Sequence, residues 1–173
     1  MPILKILTYP DEFLRYHAKP VEKINDTIQE MIENMSDTMY QAPGVGLAAV
    51  QAGIDKSIIV FDHEADLVKK KFQVLINPEI VIAQGEMISE NEGCLSVPDL
   101  RSDVKRYESI VVKGLDRFGN KAEIEADGIL SVILQHEIDH LNGVLFLDRI
   151  SALKRQLYKN KIKTALKLRG KSI

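Results

Sequence analysis

His136-Glu137-Ile138-Asp139-His140 places two imidazoles four residues apart, with a carboxylate beside the first. On an α-helix, residues i and i+4 share a face, so both rings can reach one metal ion. Glu137 is turned by about 100° from His136, close enough to touch a water bound to that metal. H-E-x-x-H is the arrangement of metal hydrolases, with two ligands and a general base. The same letters also arise on surface helices, where they are only a solvated charged face. Here Ile129, Leu130, Val132, Ile133 and Leu134 precede the motif, which predicts an apolar and therefore buried helix. A buried helix carrying two histidines, a glutamate and an aspartate must give each of them a partner, and a metal ion does so.

A catalytic zinc-type site needs three protein ligands and one open position. The other histidines, His17 and His63, lie in no suggestive setting. Cys94 lies in Glu92-Gly93-Cys94-Leu95-Ser96, a polar break between two strand-like stretches. A lone cysteine is commonly a small buried hydrophobe. Against that, Gly93 permits unusual backbone angles that would aim the sulfur inward, and a thiolate with two imidazoles is a recognised ligand set. Cys94 is therefore the expected third ligand.

A third segment, Gly44-Val45-Gly46-Leu47-Ala48-Ala49-Val50-Gln51, spells the dinucleotide fingerprint G-x-G-x-x-A, which requires a strand before it and a helix after it. The order here is reversed. Residues from about 25 to 40 have helical spacing (Ile28, Met31, Ile32, Met35, Met39), Pro43 breaks the chain, and Ser57–Phe61 reads as a strand. The nucleotide reading fails on context. What remains is a small-residue segment that admits a close approach, ending at Gln51, which taken alone is an ordinary surface glutamine.

Together the three segments resemble peptide deformylases, whose marks are G-φ-G-φ-A-A-x-Q, E-G-C-φ-S and H-E-φ-D-H (φ apolar), in that order along one small domain. All three stand complete, as 44–51, 92–96 and 136–140. The resemblance extends from Asp11-Glu12-Phe13-Leu14-Arg15 through Ile76-Asn77-Pro78 to Gly143-Val144-Leu145-Phe146, essentially the whole chain. It implies an enzyme that removes the N-formyl group from the formylmethionine of nascent peptides. It also implies that the Gln51 side chain and the Leu95 backbone N–H stabilise the oxyanion, and that Arg101 contacts the substrate backbone. Glu137 then serves as base and proton donor to the leaving amine, and Glu92 and Asp139 orient ligands. One thiolate and two imidazoles suit Fe(2+), Zn(2+), Co(2+) or Ni(2+); the resemblance implies Fe(2+), one per chain. By helical spacing, Ile129, Val132 and Ile133 share the face of His136 and form an apolar wall for a methionine side chain, completed by Val45 and Leu95, with Gly46 allowing close approach. Ser89-Glu90-Asn91 is polar for a pocket wall, which predicts an open side there.

The elements that must position these groups read as α+β. Short strands are expected near 74–76, 79–83, 109–113 and 122–125, with turns at Asn77-Pro78 and 118–120. Without βαβ alternation the sheets should be antiparallel or mixed, around the H-E-x-x-H helix near 128–141. A length of 173 residues and 45% hydrophobic content predict one domain, 1–173, with a real core.

No stretch has 18 consecutive apolar residues, no secretory or organelle leader is visible, and a single cysteine suits a reducing compartment. A cytoplasmic monomer with no DNA or membrane partner is expected. Charge is uneven: residues 1–148 carry 14 Lys+Arg against 25 Asp+Glu, whereas 149–173 carry nine basic residues and no acid. That tail, about 150–173, is expected as a helix packed through Leu153, Leu157, Ile162, Ala165 and Leu166. Its lysines, including Lys159, Lys163 and Lys167, are either a solvated face or, as the resemblance suggests, a contact with the ribosome. Two competing readings are an H-E-x-x-H zinc peptidase and a non-catalytic ribosome-binding module. The first usually takes a third ligand downstream, but no histidine follows His140. The second would close its metal with a fourth protein ligand and leave Glu137 without a role.

Overall fold

The computed structural model describes residues 2–64 and 71–170. Helix α1 spans Asp26–Gln41, capped by Asn25, whose side chain accepts the Ile28 N–H at 3.1 Å. Strands β1 (Gly46–Ala48) and β2 (Ile58–Phe61) follow, then β3 (Gln73–Gln84), β4 (Met87–Cys94), β5 (Val97–Arg106), β6 (Ser109–Leu115) and β7 (Lys121–Asp127). Helix α2 spans Gly128–Leu141 and α3 spans Ala152–Leu168. The expected basic tail runs on to 173, and 171–173 lie outside the described residues.

The fold is α+β, and every strand pairing is antiparallel. Five strands form one sheet in the order β1-β2-β3-β6-β7, and β4 with β5 forms a separate ribbon. The hydrophobic pattern of β2 explains the layering. Ile59 and Phe61 join a core under α2 with Ile133, Leu134 and Ile138, while Ile58 and Val60 join one under α1 with Ile32, Met35 and Met39. Successive side chains of a strand point to opposite faces, so an uninterrupted apolar run marks a strand covered on both sides. Each such side chain contributes about 1.5–3 kcal/mol relative to exposure. A third core joins the ribbon to the C-terminal region through Leu14, Val97, Val104, Phe146 and Tyr158.

Two expectations about elements need correction. Asn77-Pro78 is not a turn. It lies inside β3, where the register with β6 shifts between Ile76 and Glu79 and Asn77 takes φ 52°. That is a bulge, and Asn77 fastens it by exchanging two hydrogen bonds with the Val21 backbone, at 2.8 and 2.9 Å. In α3, Leu153 and Leu157 are not packed but 70% and 61% exposed; the buried residue is Tyr158, with Ile162 half-buried beside it. The β4–β5 ribbon itself was only dimly legible, because its sequence is polar. No helix is long and apolar enough to cross a membrane among the described residues.

Candidate metal centre and catalytic cavity

Helix α2 delivers His136 and His140 from one face, and the end of β4 delivers Cys94. His140 Nε2 lies 3.2 Å from Cys94 Sγ and 3.2 Å from His136 Nε2. Among the described residues this trio forms the cluster that could hold a metal, with all ligand atoms within 4.8 Å of one another. Bonds of about 2.0–2.3 Å to a tetrahedral ion separate the donors by roughly 3.3–3.6 Å, so the observed spacing fits one ion. His17 and His63 stay outside.

The electrostatics point the same way. Burial disfavours the His136 cation, but hydrogen bonds with Cys94 and Glu92 outweigh it and hold the ring well above the usual imidazole range. Burial, then the charge of His136, pushes His140 well below that range. Glu137 Oε2 is buried without a hydrogen-bond partner, which leaves an acceptor open beside the cluster.

Glu137 is 5% exposed, and burial pushes its carboxyl up to about 7. It projects toward Gly46, where an added Cβ would stand 2.5 Å from Glu137 Oε1. Gly46 therefore makes room for the carboxylate of α2, and the close approach expected of a substrate here is made by the protein itself. Gly93 departs from expectation too. Its φ is not positive, and a Cβ would lie 3.2 Å from Arg101 Nη1, so glycine lets the arginine lie close across β4 without adjustment.

Glu92 meets His136 directly, whereas Asp139 meets Arg106 and Arg149. Glu92 Oε1 is 2.8 Å from His136 Nδ1, an arrangement that leaves Nε2 for a metal. The residue that sequence reasoning missed is Arg106. Its side chain is 1% exposed; Nε and Nη2 donate to Glu92 at 3.2 and 2.5 Å, and Nη1 donates to Asp139 at 2.7 Å. Arg149 grips Asp139 from outside with two further hydrogen bonds. Burial pushes the Glu92 carboxyl up, but His136 and Arg106 outweigh it and bring it down to about 2. The signal was present: Ser102, Val104 and Arg106 alternate with exposed residues, so period two places Arg106 inward.

A cavity of about 720 Å³ opens beside the cluster. Val45, Gly46, Gln51, Leu95, Arg101, Ile129, Val132 and Ile133 all line it, together with His136, Glu137 and Cys94. Val132 and Ile133 are buried, whereas Ile129 is 63% and Val45 41% exposed, which places those two at the rim rather than in a buried wall. Ser89, Glu90 and Asn91 form the polar side. Gln51 is 2% exposed rather than on the surface, and its Nε2 lies 3.8 Å from Cys94 Sγ. Arg101 donates to the Asn91 carbonyl at 3.2 Å.

A family model described as polypeptide deformylase matches residues 3–156. The chain is 49% identical over 167 residues to a peptide deformylase of Desulfosudis oleivorans, covering 96% of each chain. It is 51% identical over 164 residues to one of Thermodesulfovibrio yellowstonii, covering 95% of this chain and 99% of that one. A crystal structure of a peptide deformylase from Legionella pneumophila superposes with TM-score 0.89 at 48% identity, covering 99% of this chain and 100% of that one. A deformylase from Synechococcus elongatus in complex with actinonin gives TM-score 0.84 at 40% identity, covering 100% and 91%.

Proposed function

The chain belongs to the polypeptide deformylase family, and from that membership we propose how its own residues divide the work. The enzyme is a metal-dependent hydrolase that removes the formyl group from the N-terminal methionine of newly made proteins and releases formate. Cys94, His136 and His140 are assigned as ligands of one ion. When bound, that ion polarises the formyl carbonyl and lowers the pKa of a water near it.

The remaining steps belong to side chains and backbone. Glu137 accepts the proton of the attacking water and returns it to the leaving amine. Gln51 Nε2 and the Leu95 backbone N–H donate to the oxyanion, each worth a few kcal/mol in a water-poor site. Val45, Ile129, Val132 and Ile133 receive the methionine side chain, Gly46 clears space for the base, and Arg101 binds the peptide backbone. The observation that carries this reading is the convergence of Cys94 Sγ and His136 Nε2 on His140 Nε2, each at 3.2 Å from it, beside a buried carboxylate.

The resident ion is proposed to be Fe(2+), with Zn(2+), Ni(2+) or Co(2+) as substitutes, since the donor set accepts all four. The 173 residues are proposed to act as one catalytic domain, a monomer in the cytoplasm, with the basic α3 meeting the ribosome. Anaerobically prepared protein should release formate from a formyl-Met peptide and leave an internally cleavable peptide intact, and metal analysis of the same sample should find iron. Cleavage inside the second peptide would overturn the assignment.

A further inference from the structure

Gln51 reaches its position through two loops that are far apart in sequence, and Ser96 joins them. We propose that Ser96 is a positioning residue, which aims the Gln51 carboxamide into the catalytic cavity while an N-terminal strap holds the pair from behind. The proposal rests on the assignment of Gln51 as an oxyanion donor.

Gln51 Oε1 accepts the Ala48 N–H at 2.9 Å. A backbone N–H can only donate, so the oxygen end must face Ala48 and the nitrogen end must face the other way. Of the two hydrogens on Nε2, one goes to Ser96 Oγ at 3.1 Å; Cys94 Sγ, at 3.8 Å, marks the ligand side for the other. Ala48 alone would leave the amide free to swing about its oxygen. With Ser96 as a second anchor its plane is set, and the other N–H is directed to Cys94 Sγ, on the ligand side where the reacting carbonyl would compete for it.

The backbones are joined as well. Leu7 N–H donates to the Gln51 carbonyl at 2.7 Å and Tyr9 N–H donates to the Ser96 carbonyl at 2.8 Å. The two donors are two residues apart, so one short segment of the N-terminal chain binds both loops. Ser96 directly follows Leu95, whose N–H is the other assigned donor. The pair therefore sets the spacing between the two donors. Ser96 is 0% exposed and is not among the residues that line the cavity, so it acts through Gln51 and not on substrate.

A double-mutant cycle on the metal-loaded full chain tests this. Ser96→Ala should lower kcat by about three- to tenfold, the scale of one lost hydrogen bond, with KM and metal content unchanged. Gln51→Ala should lower kcat by more, and adding Ser96→Ala to it should cost nothing further. Should Ser96→Ala fail to fold, Ser96→Gly removes the same hydroxyl and enters the same cycle. An equal loss in both backgrounds, an unchanged kcat in the single variant, or a loss tracking metal content would overturn the role of Ser96. If Gln51→Ala itself leaves kcat unchanged, the assignment of Gln51 falls first, and that outcome is read from a separate arm.

Discussion

Helices α2 and α3 are close in length and opposite in how they meet the rest of the chain. Of the 14 residues of α2, ten are buried, including His136, Glu137 and His140; of the 17 in α3, Tyr158 alone is buried. Both have apolar residues at helical spacing, yet α2 is offered a broad surface to cover and α3 a narrow one, at Tyr158 and Ile162. Helix α2 lies across β1, β2, β6 and β7 and meets the β4–β5 ribbon through charged groups. Helix α3 is held by few contacts: Tyr158 Oη donates to the Pro98 carbonyl at 3.0 Å, the Tyr9 ring lies 6.1 Å away, and Lys154 Nζ donates to Ser102 Oγ at 3.1 Å. Periodicity therefore announces a helix, whereas burial depends on what the remaining elements present to it. Buried charge is also unforgiving in a way that solvated charge is not.

Perturbing the two helices should separate them. The largest effect is expected at Glu137→Gln, which keeps the shape but cannot accept a proton. Turnover should fall by about 10²–10⁴-fold with metal content intact, measured as formate release and metal on one sample; near-normal turnover would remove Glu137 from the chemistry. Next comes Cys94→Ser, which replaces a thiolate by a poor neutral ligand. Equilibrium dialysis should find sharply weaker metal binding, and unchanged affinity would leave Cys94 a core thiol.

Arg106→Ala removes the cation shared by Glu92 and Asp139, two largely buried carboxylates, and leaves Glu92 with His136 alone and Asp139 with Arg149. Removing one partner of such a group costs about 3–5 kcal/mol, readable as a lower urea midpoint, and metal affinity should fall with it as His136 loses its orientation. In α3 the effects shrink. Tyr158→Phe deletes only the bond to Pro98 and should cost about 1 kcal/mol in the same urea experiment; a loss on the scale of Arg106→Ala would mean that α3 is integral to the core. Smallest of all, reversing the charge of Lys159, Lys163 and Lys167 should change stability by no more than about 0.5 kcal/mol per substitution and leave turnover on a short formyl-Met peptide intact. The same variant should co-sediment less with ribosomes, in a salt-dependent way. Unchanged co-sedimentation would leave α3 a structural helix.

Much of the site was legible because the motifs are local. The spacing of His136 and His140 needs only helical geometry, and Gly46 and Gln51 are fixed by one short segment. Cys94 needed a stronger inference, since the fold brings it 3.2 Å from a histidine 46 positions away. Arg106 was visible only as one inward step in an alternating strand. The Asn77-Pro78 bulge was misread because asparagine and proline mark turns and bulges alike; the choice is made by Val21, which meets the Asn77 side chain from 56 positions away.

By itself the sequence determined the helices, the strand at β2, two imidazoles on one helical face and the carboxylate adjacent to the first. These follow from periodicities of 3.6 and 2 that act within a few residues. Only the tertiary structure decided which polar groups share a buried partner, which apolar residues of α3 remain in solvent, and why Gly46 must lack a side chain. The physical reason is common to all three. Hydrogen bonds, exclusion of solvent and steric contact are properties of neighbours in space, and a chain shows its neighbours only after it has folded.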